Sequence, residues 1–223
     1  MMTLAIDAVD DAPAVALAEG GRLLARDGWT TAQRHSVELL PRIDALLRQQ
    51  GVDKRDVRAV FVDIGPGGYA ALRVGVSIAK TIAHALAVSI VGVGRLELDA
   101  WRASDAGGPQ RIVAVHRAGR GDLAWAVYRR DGDQWREEQA PRMTRAEELL
   151  AALDAGAAAT GDIDDSLAER LAPTATIVAP QIARIDALVT LGLRRLDAGR
   201  IDDPRTLVPL YLRAPAIGPQ PPL

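Results

Sequence analysis

"DVRAVFVDIGPGGYAALRVGVSIAKTIAHAL", residues 56–86, is the stretch on which the fold turns. Its first ten residues are short, β-branched and mostly apolar, the composition of a strand buried on both faces. Gly65, Pro66, Gly67 and Gly68 then break the strand, and the residues that follow are small and apolar nearly all round, as in a helix buried or packed on a partner. A strand running through glycines into a helix has the ingredients of an anion site, because glycine lets backbone approach a ligand and a helix N-terminus offers unpaired N–H groups. Yet no Lys-Ser/Thr follows and no G-x-G-x-x-G spacing is met, so neither a P-loop nor a dinucleotide fingerprint is present. The glycines are therefore read as shape, a turn presenting a helix. Arg73, one turn into that helix, is placed to meet an anion or a carboxylate of its own domain.

Upstream, apolar runs at 3–8, 14–18 and 22–25 are separated by Asp-Asp-Ala-Pro and Gly-Gly, which predicts three short strands. Asp7, at the end of the first, is either a phosphate- or metal-handling carboxylate or a turn cap. Val37, Leu40, Ile43, Leu46 and Leu47 recur at helical spacing, with Pro41 predicting a kink or late start. Downstream, "VSIVGVG" (88–94) reads as a strand and residues 96–103 as a helix. "SDAGGPQ" (104–110) is the clearest boundary. Strands at 111–116 and 123–129, a tight turn at "RRDGDQW", a helix at 144–156 capped by Thr144, and a last amphipathic helix at 181–198 follow. The order βββαβαβα, a break and a second strand-rich part predicts a mixed α/β fold of two lobes: 1–103, a smaller and degenerate 104–213, and a disordered tail at 214–223.

Composition narrows the function. The net charge of −2 argues against a broad basic face for nucleic acid. The absence of Cys excludes disulfides, thiolate metal sites and Cys nucleophiles. No apolar run is long enough for a membrane span and no signal peptide is visible, so a soluble cytoplasmic protein is expected. His35, His84 and His116 lack metal-ligand spacing, and neither a metal nor another cofactor is implied.

As a set in this order, "LAIDAVDDAPAVAL", "HSVELLPRIDALL", "VFVDIGPGGYAALRVGVSIAKTIAHAL", "GDLAWAVYRRDG" and "VPLYLR" resemble the TsaB (YeaZ) family. The similarity covers most of residues 1–213. It implies the two-lobed fold of actin, hexokinase and Hsp70 (ASKHA), and a non-catalytic role in forming threonylcarbamoyladenosine in tRNA. The implied partners are a TsaD-like catalytic paralogue and a TsaE-like ATPase, or a second copy of the chain, with tRNA engaged only indirectly. The implied interface is His35, Val37, Leu40 and Ile43 with Leu72, Val76, Ala79 and Ala83. The implied nucleotide cleft, in degenerate form, is Asp7, Gly65, Gly67, Gly68, Tyr69 and Arg73. In the family loop, hydroxyls stand where Gly68 and Ala70 stand here, and a last glycine stands at Ala71. "GRLELDAW" (94–101) offers Arg95 and Asp99 where the catalytic paralogue has metal-binding histidines. These departures point to a scaffold without catalytic residues. An active ATPase or kinase of the same superfamily is the alternative, with "ATGDIDDS" (159–166) its nearest second phosphate loop. A peptidase comes last, for want of a triad or metal pattern.

Overall fold

The computed structural model describes residues 1–32, 34–103, 109–132, 134–154 and 156–213. Most of the expected boundary at 104–110 and the whole tail at 214–223 lie outside these residues. The first half runs β1 (Met2–Asp7), β2 (Ala14–Glu19), β3 (Arg22–Gly28), α1 (His35–Gln49), β4 (Val57–Asp63), α2 (Tyr69–Leu86), β5 (Ser89–Val93), α3 (Arg95–Arg102). The second half repeats this plan with shorter middle helices. It runs β6 (Arg111–Arg117), β7 (Leu123–Asp131), β8 (Gln134–Thr144), α4 (Ala146–Ala151), β9 (Ala157–Gly161), α5 (Asp165–Leu171), β10 (Ala175–Ile177), α6 (Arg184–Asp197).

The two sheets correspond strand for strand. The first has the order β3-β2-β1-β4-β5 and the second β8-β7-β6-β9-β10. In each, the first three strands are antiparallel and the last two run parallel to the first. This is the two-lobed α/β architecture of the actin, hexokinase and Hsp70 superfamily. No helix among the described residues is long and apolar enough to cross a membrane.

Alternation along the strands sends neighbouring side chains to opposite faces. Leu4 and Ile6 of β1 face a core built with Leu39 and Ile43 of α1 and Val76 and Ala79 of α2. Ala5, with Phe61 of β4 and Val91 of β5, faces the other side, and that side is covered by Ile185, Leu188 and Val189 of α6. Likewise, one face of the second sheet packs on α4 and α5, and the other, through Ile112, Ala114 and Ala126, packs on Leu96 and Ala100 of α3. Each half therefore lends its last helix to the other half's sheet. Gly192 permits the loan in α6: a Cβ there would lie 2.4 Å from the ring of Phe61, which is fully buried.

Three local expectations are corrected. α1 begins at His35 and runs on through Pro41, so the helix does not start late at that proline. Thr144 ends β8 instead of capping a helix: its hydroxyl accepts the indole N–H of Trp125 at 2.9 Å, and α4 begins at Ala146. α2 is not apolar all round, since Arg73, Ser77, Thr81 and His84 form an exposed stripe at helical spacing.

Candidate functional site

The strand ends and helix starts of both halves converge between the lobes. Asp7 ends β1, Asp63 ends β4 and Asp162 follows β9, while α3 and α6 each begin with an arginine, Arg95 and Arg184. The pairing is reciprocal. Arg184 reaches into the first half, with Nε 2.8 Å from Asp7 and 3.6 Å from Asp63 and Nη2 2.8 Å from Asp10. Arg95 reaches into the second, with Nη2 3.1 Å from Asp162, and also meets Asp10 at 3.2 Å and Asp99 at 3.6 Å. Asp7, Asp63, Asp99 and Arg95 are each only 2% exposed.

Charges this deep are tolerated only when paired. Burial, with Asp7 adding like charge, pushes Asp63 well above the usual carboxylate range. Burial likewise raises Asp99 against the pull of Arg95. For Asp162, burial is outweighed by the 2.5 Å hydrogen bond with His116 Nδ1 and the charge of Arg95, which hold its carboxyl at about 2. For Asp10, Arg184 and Arg95 outweigh burial. A carboxyl with a lowered value stabilises the fold above its ordinary range and loses that contribution as pH falls through the folded value. The stability advantage of the native chain over Asp162→Asn is thus expected at pH 7 and should shrink between about pH 4 and pH 2 in denaturant titrations; an advantage constant with pH would contradict this pairing.

Beside the knot lies an open cavity of about 690 Å³, whose wall includes Gly67, Gly68, Tyr69, His116, Arg117 and Tyr211. The turn of 65–68 forms one wall. Gly65 N–H donates to Asp63 at 2.8 Å, its carbonyl accepts from Arg95 N–H at 2.8 Å, and Gly68 N–H donates to Val9 O at 2.8 Å. Tyr69, at the mouth, stacks on Tyr211 with centroids 5.0 Å apart. Arg73 Nη1 donates to the Tyr69 hydroxyl at 3.2 Å and lies over its ring, so this guanidinium serves the aromatic pair. The segment carrying Tyr211 is anchored on the first half by Leu210 N–H to Ile64 O and on the second by Arg213 to Asp122.

Of the residues expected at the cleft, Asp7, Gly65, Gly67, Gly68, Tyr69 and Arg73 all gather at this junction. Of those expected at an interface, Val37 (56%) and Leu40 (51%) are exposed, whereas His35, Ile43, Leu72, Val76, Ala79 and Ala83 are buried within the chain. His35 Nε2 is hydrogen-bonded to Asp10 O at 2.8 Å. Sequence reading did not find Arg184, Asp63 or Asp162. A signal existed: "FVD" and "TGD" close corresponding strands, and an arginine opens the helix after each following strand. No group of three or more His, Asp or Glu among the described residues is placed to hold a metal ion.

The model of the TsaD family, tRNA N6-adenosine threonylcarbamoyltransferase, matches residues 29–192. The tRNA threonylcarbamoyladenosine biosynthesis protein TsaB of Escherichia coli (strain K12) is 30% identical over 148 residues, 66% of this chain and 64% of that protein. The protein of the same name from Bacillus subtilis (strain 168) is 33% identical over 97 residues, 44% of this chain and 42% of its own. The chain thus matches less than two thirds of the length of either relative. The solved structure of YeaZ from Pseudomonas aeruginosa agrees with a TM-score of 0.81 at 25% identity, covering 95% of this chain and 99% of that one.

Proposed function

Since the chain belongs to the TsaD/TsaB family of tRNA threonylcarbamoyladenosine proteins, we propose that it supports that modification as a scaffold and leaves the transfer chemistry to a TsaD-like paralogue. The observation that carries this reading is the guanidinium of Arg184 standing among Asp7, Asp10 and Asp63. Strand-end carboxylates grouped in this way have the oxygen donors that a metal-bound phosphate would need. Here the cation is a side chain of the protein, and a divalent ion would have to displace a buried ion pair to enter.

The docking face of this scaffold is the outer side of α1, where Val37 and Leu40 project, continued by the half-buried Val74 and Ile78 of α2. Two exposed aliphatic side chains three residues apart on one helix are apolar surface that a partner would cover. The partner is a TsaD-like subunit, with a second copy of this chain as its competitor and a TsaE-like ATPase completing the assembly in the cytoplasm. The double substitution Val37→Glu, Leu40→Glu should leave the melting temperature unchanged and weaken the paralogue by at least about thirtyfold, the effect of losing an interface hot spot. It should also stop threonylcarbamoylation of a tRNA transcript in the reconstituted system. Unchanged affinity, or full modification without this chain, would sink the reading. The open cavity beside Gly67 favours one other reading, an ATPase or small-molecule kinase. Tight, Mg²⁺-dependent ATP binding in calorimetry would select it.

A further inference from the structure

α3 and α6 start at the cleft with Arg95 and Arg184 and run away from it together. Their far ends, with the β7–β8 hairpin, enclose a second cavity of about 640 Å³. From Arg184 to Arg195 the helix rises roughly 16 Å, so this cavity is separate from the interlobe site. Its volume lies within the roughly 300–1,000 Å³ of small-molecule sites.

The lining is unusual for this chain, which carries four tryptophans and a net charge of −2. Two of the four, Trp101 and Trp135, line the cavity. Each is backed by a guanidinium, Arg194 at 4.5 Å from the ring of Trp101 and Arg130 at 6.0 Å from that of Trp135. Arg136, Arg194, Arg195 and Arg200 line it together with Glu97 and Glu137, a local excess of positive charge. Arg195 is paired with Glu97 and Arg136 with Asp131, whereas Arg200 has no ion-pair partner among the described residues. At the wall sits Tyr128, 4% exposed, whose hydroxyl has no hydrogen-bond partner among the described residues. The hydroxyl is not among the solvent-excluded unpartnered atoms, so it opens onto the cavity, where a ligand can accept from it. Burial, with Glu97 and Glu137 nearby, raises the phenol well above its ordinary value, so it stays a donor.

Indole faces accept a stacked base, guanidinium groups bind a phosphate, and a phenol hydroxyl opening onto the cavity donates to an acceptor on the ligand. We propose that this cavity binds a nucleoside phosphate, either free or as one residue of a single RNA strand, with the base on the Trp101 and Trp135 side, the phosphate at Arg200, and Tyr128 donating to the ligand. The net negative charge of the whole chain is compatible with this, since a one-residue site needs no broad basic face. The proposal rests on this cavity and is independent of the scaffold reading.

The test is titration of the full chain with AMP, adenosine, inorganic phosphate and a short single-stranded oligoribonucleotide, followed by tryptophan fluorescence and calorimetry. AMP should saturate and bind at least about tenfold more tightly than adenosine or phosphate alone. Tyr128→Phe, which removes only a partnerless hydroxyl and keeps the fold, and Arg200→Gln, on the surface, should each weaken AMP severalfold. Neither change touches the interlobe cleft, so a nucleotide bound there would be unaffected by both. Tighter binding of the oligoribonucleotide than of AMP assigns the site to an RNA strand, and equal or weaker binding assigns it to a free nucleotide. No saturable binding of either, or AMP affinity unchanged in both variants, overturns the proposal.

Discussion

Replacing Arg184 with glutamine is expected to lower the stability of the chain by about 3–5 kcal/mol, the cost of breaking a buried ion pair from one side. The size follows from what is left behind. Asp7 and Asp63, each 2% exposed, would keep their place beside one another with no cation between them, and Asp10 would lose its 2.8 Å partner. At roughly 2–4 °C per kcal/mol for a chain of this size, the melting temperature should fall by roughly 6–20 °C. The pH dependence supplies a signature. Without Arg184 the Asp63 carboxyl, already raised by burial and the charge of Asp7, is pushed further up, and a carboxyl whose folded value is raised takes up a proton on folding, so the variant should recover part of its loss as pH falls from 7 toward 5. Adding Asp7→Asn should also restore part of the loss. A change below about 1 kcal/mol, flat with pH, would mean that the network is dispensable.

The second large effect belongs to the loop. Gly67→Ala is expected to cost about 3 kcal/mol, at the upper end of overpacking penalties, because the new methyl would fall 2.3 Å from the carbonyl oxygen of Val9 and 2.9 Å from its Cβ. Neither neighbour can step aside. Val9 is fully buried and its carbonyl is bonded to Gly68 N–H, so the turn after β1 or the start of α2 has to move. Gly68→Ala is the control: its φ is −61° and the nearest atom to a new Cβ is 3.6 Å away, so denaturant midpoints should barely change. If both substitutions are equally harmless, the loop is not held by this contact.

Much of this was legible in the residues. The strand at 57–63, its glycine turn and the helix at 69–86 could be read because turn chemistry and a change of hydrophobic period coincide there. The three opening strands were equally plain. What could not be read was which surface each apolar stripe covers. α6 shows an amphipathic pattern whichever sheet it lies on, so nothing in "RIDALVTLGL" announces that Leu188 belongs with Phe61 rather than with the sheet of its own half. The same blindness affects Leu72, Val76, Ala79 and Ala83, whose apolar side chains suit an interface and a close-packed core alike; all four are buried within the chain here. The charge knot was hidden because its members are spread from Asp7 to Arg184, and only the folded chain brings them within hydrogen-bonding reach.

The loan of α6 to the first sheet also sets an order of events during synthesis. β5 is complete at Val93, but the face of the sheet carrying Ala5, Phe61 and Val91 is not covered until residues 184–197 have been made. At the usual pace of translation that interval is roughly 5 to 20 s. For that time the oldest sheet in the molecule carries a bare apolar face, so the nascent chain is at its most adhesive before its last helix arrives, and the part made first is finished last.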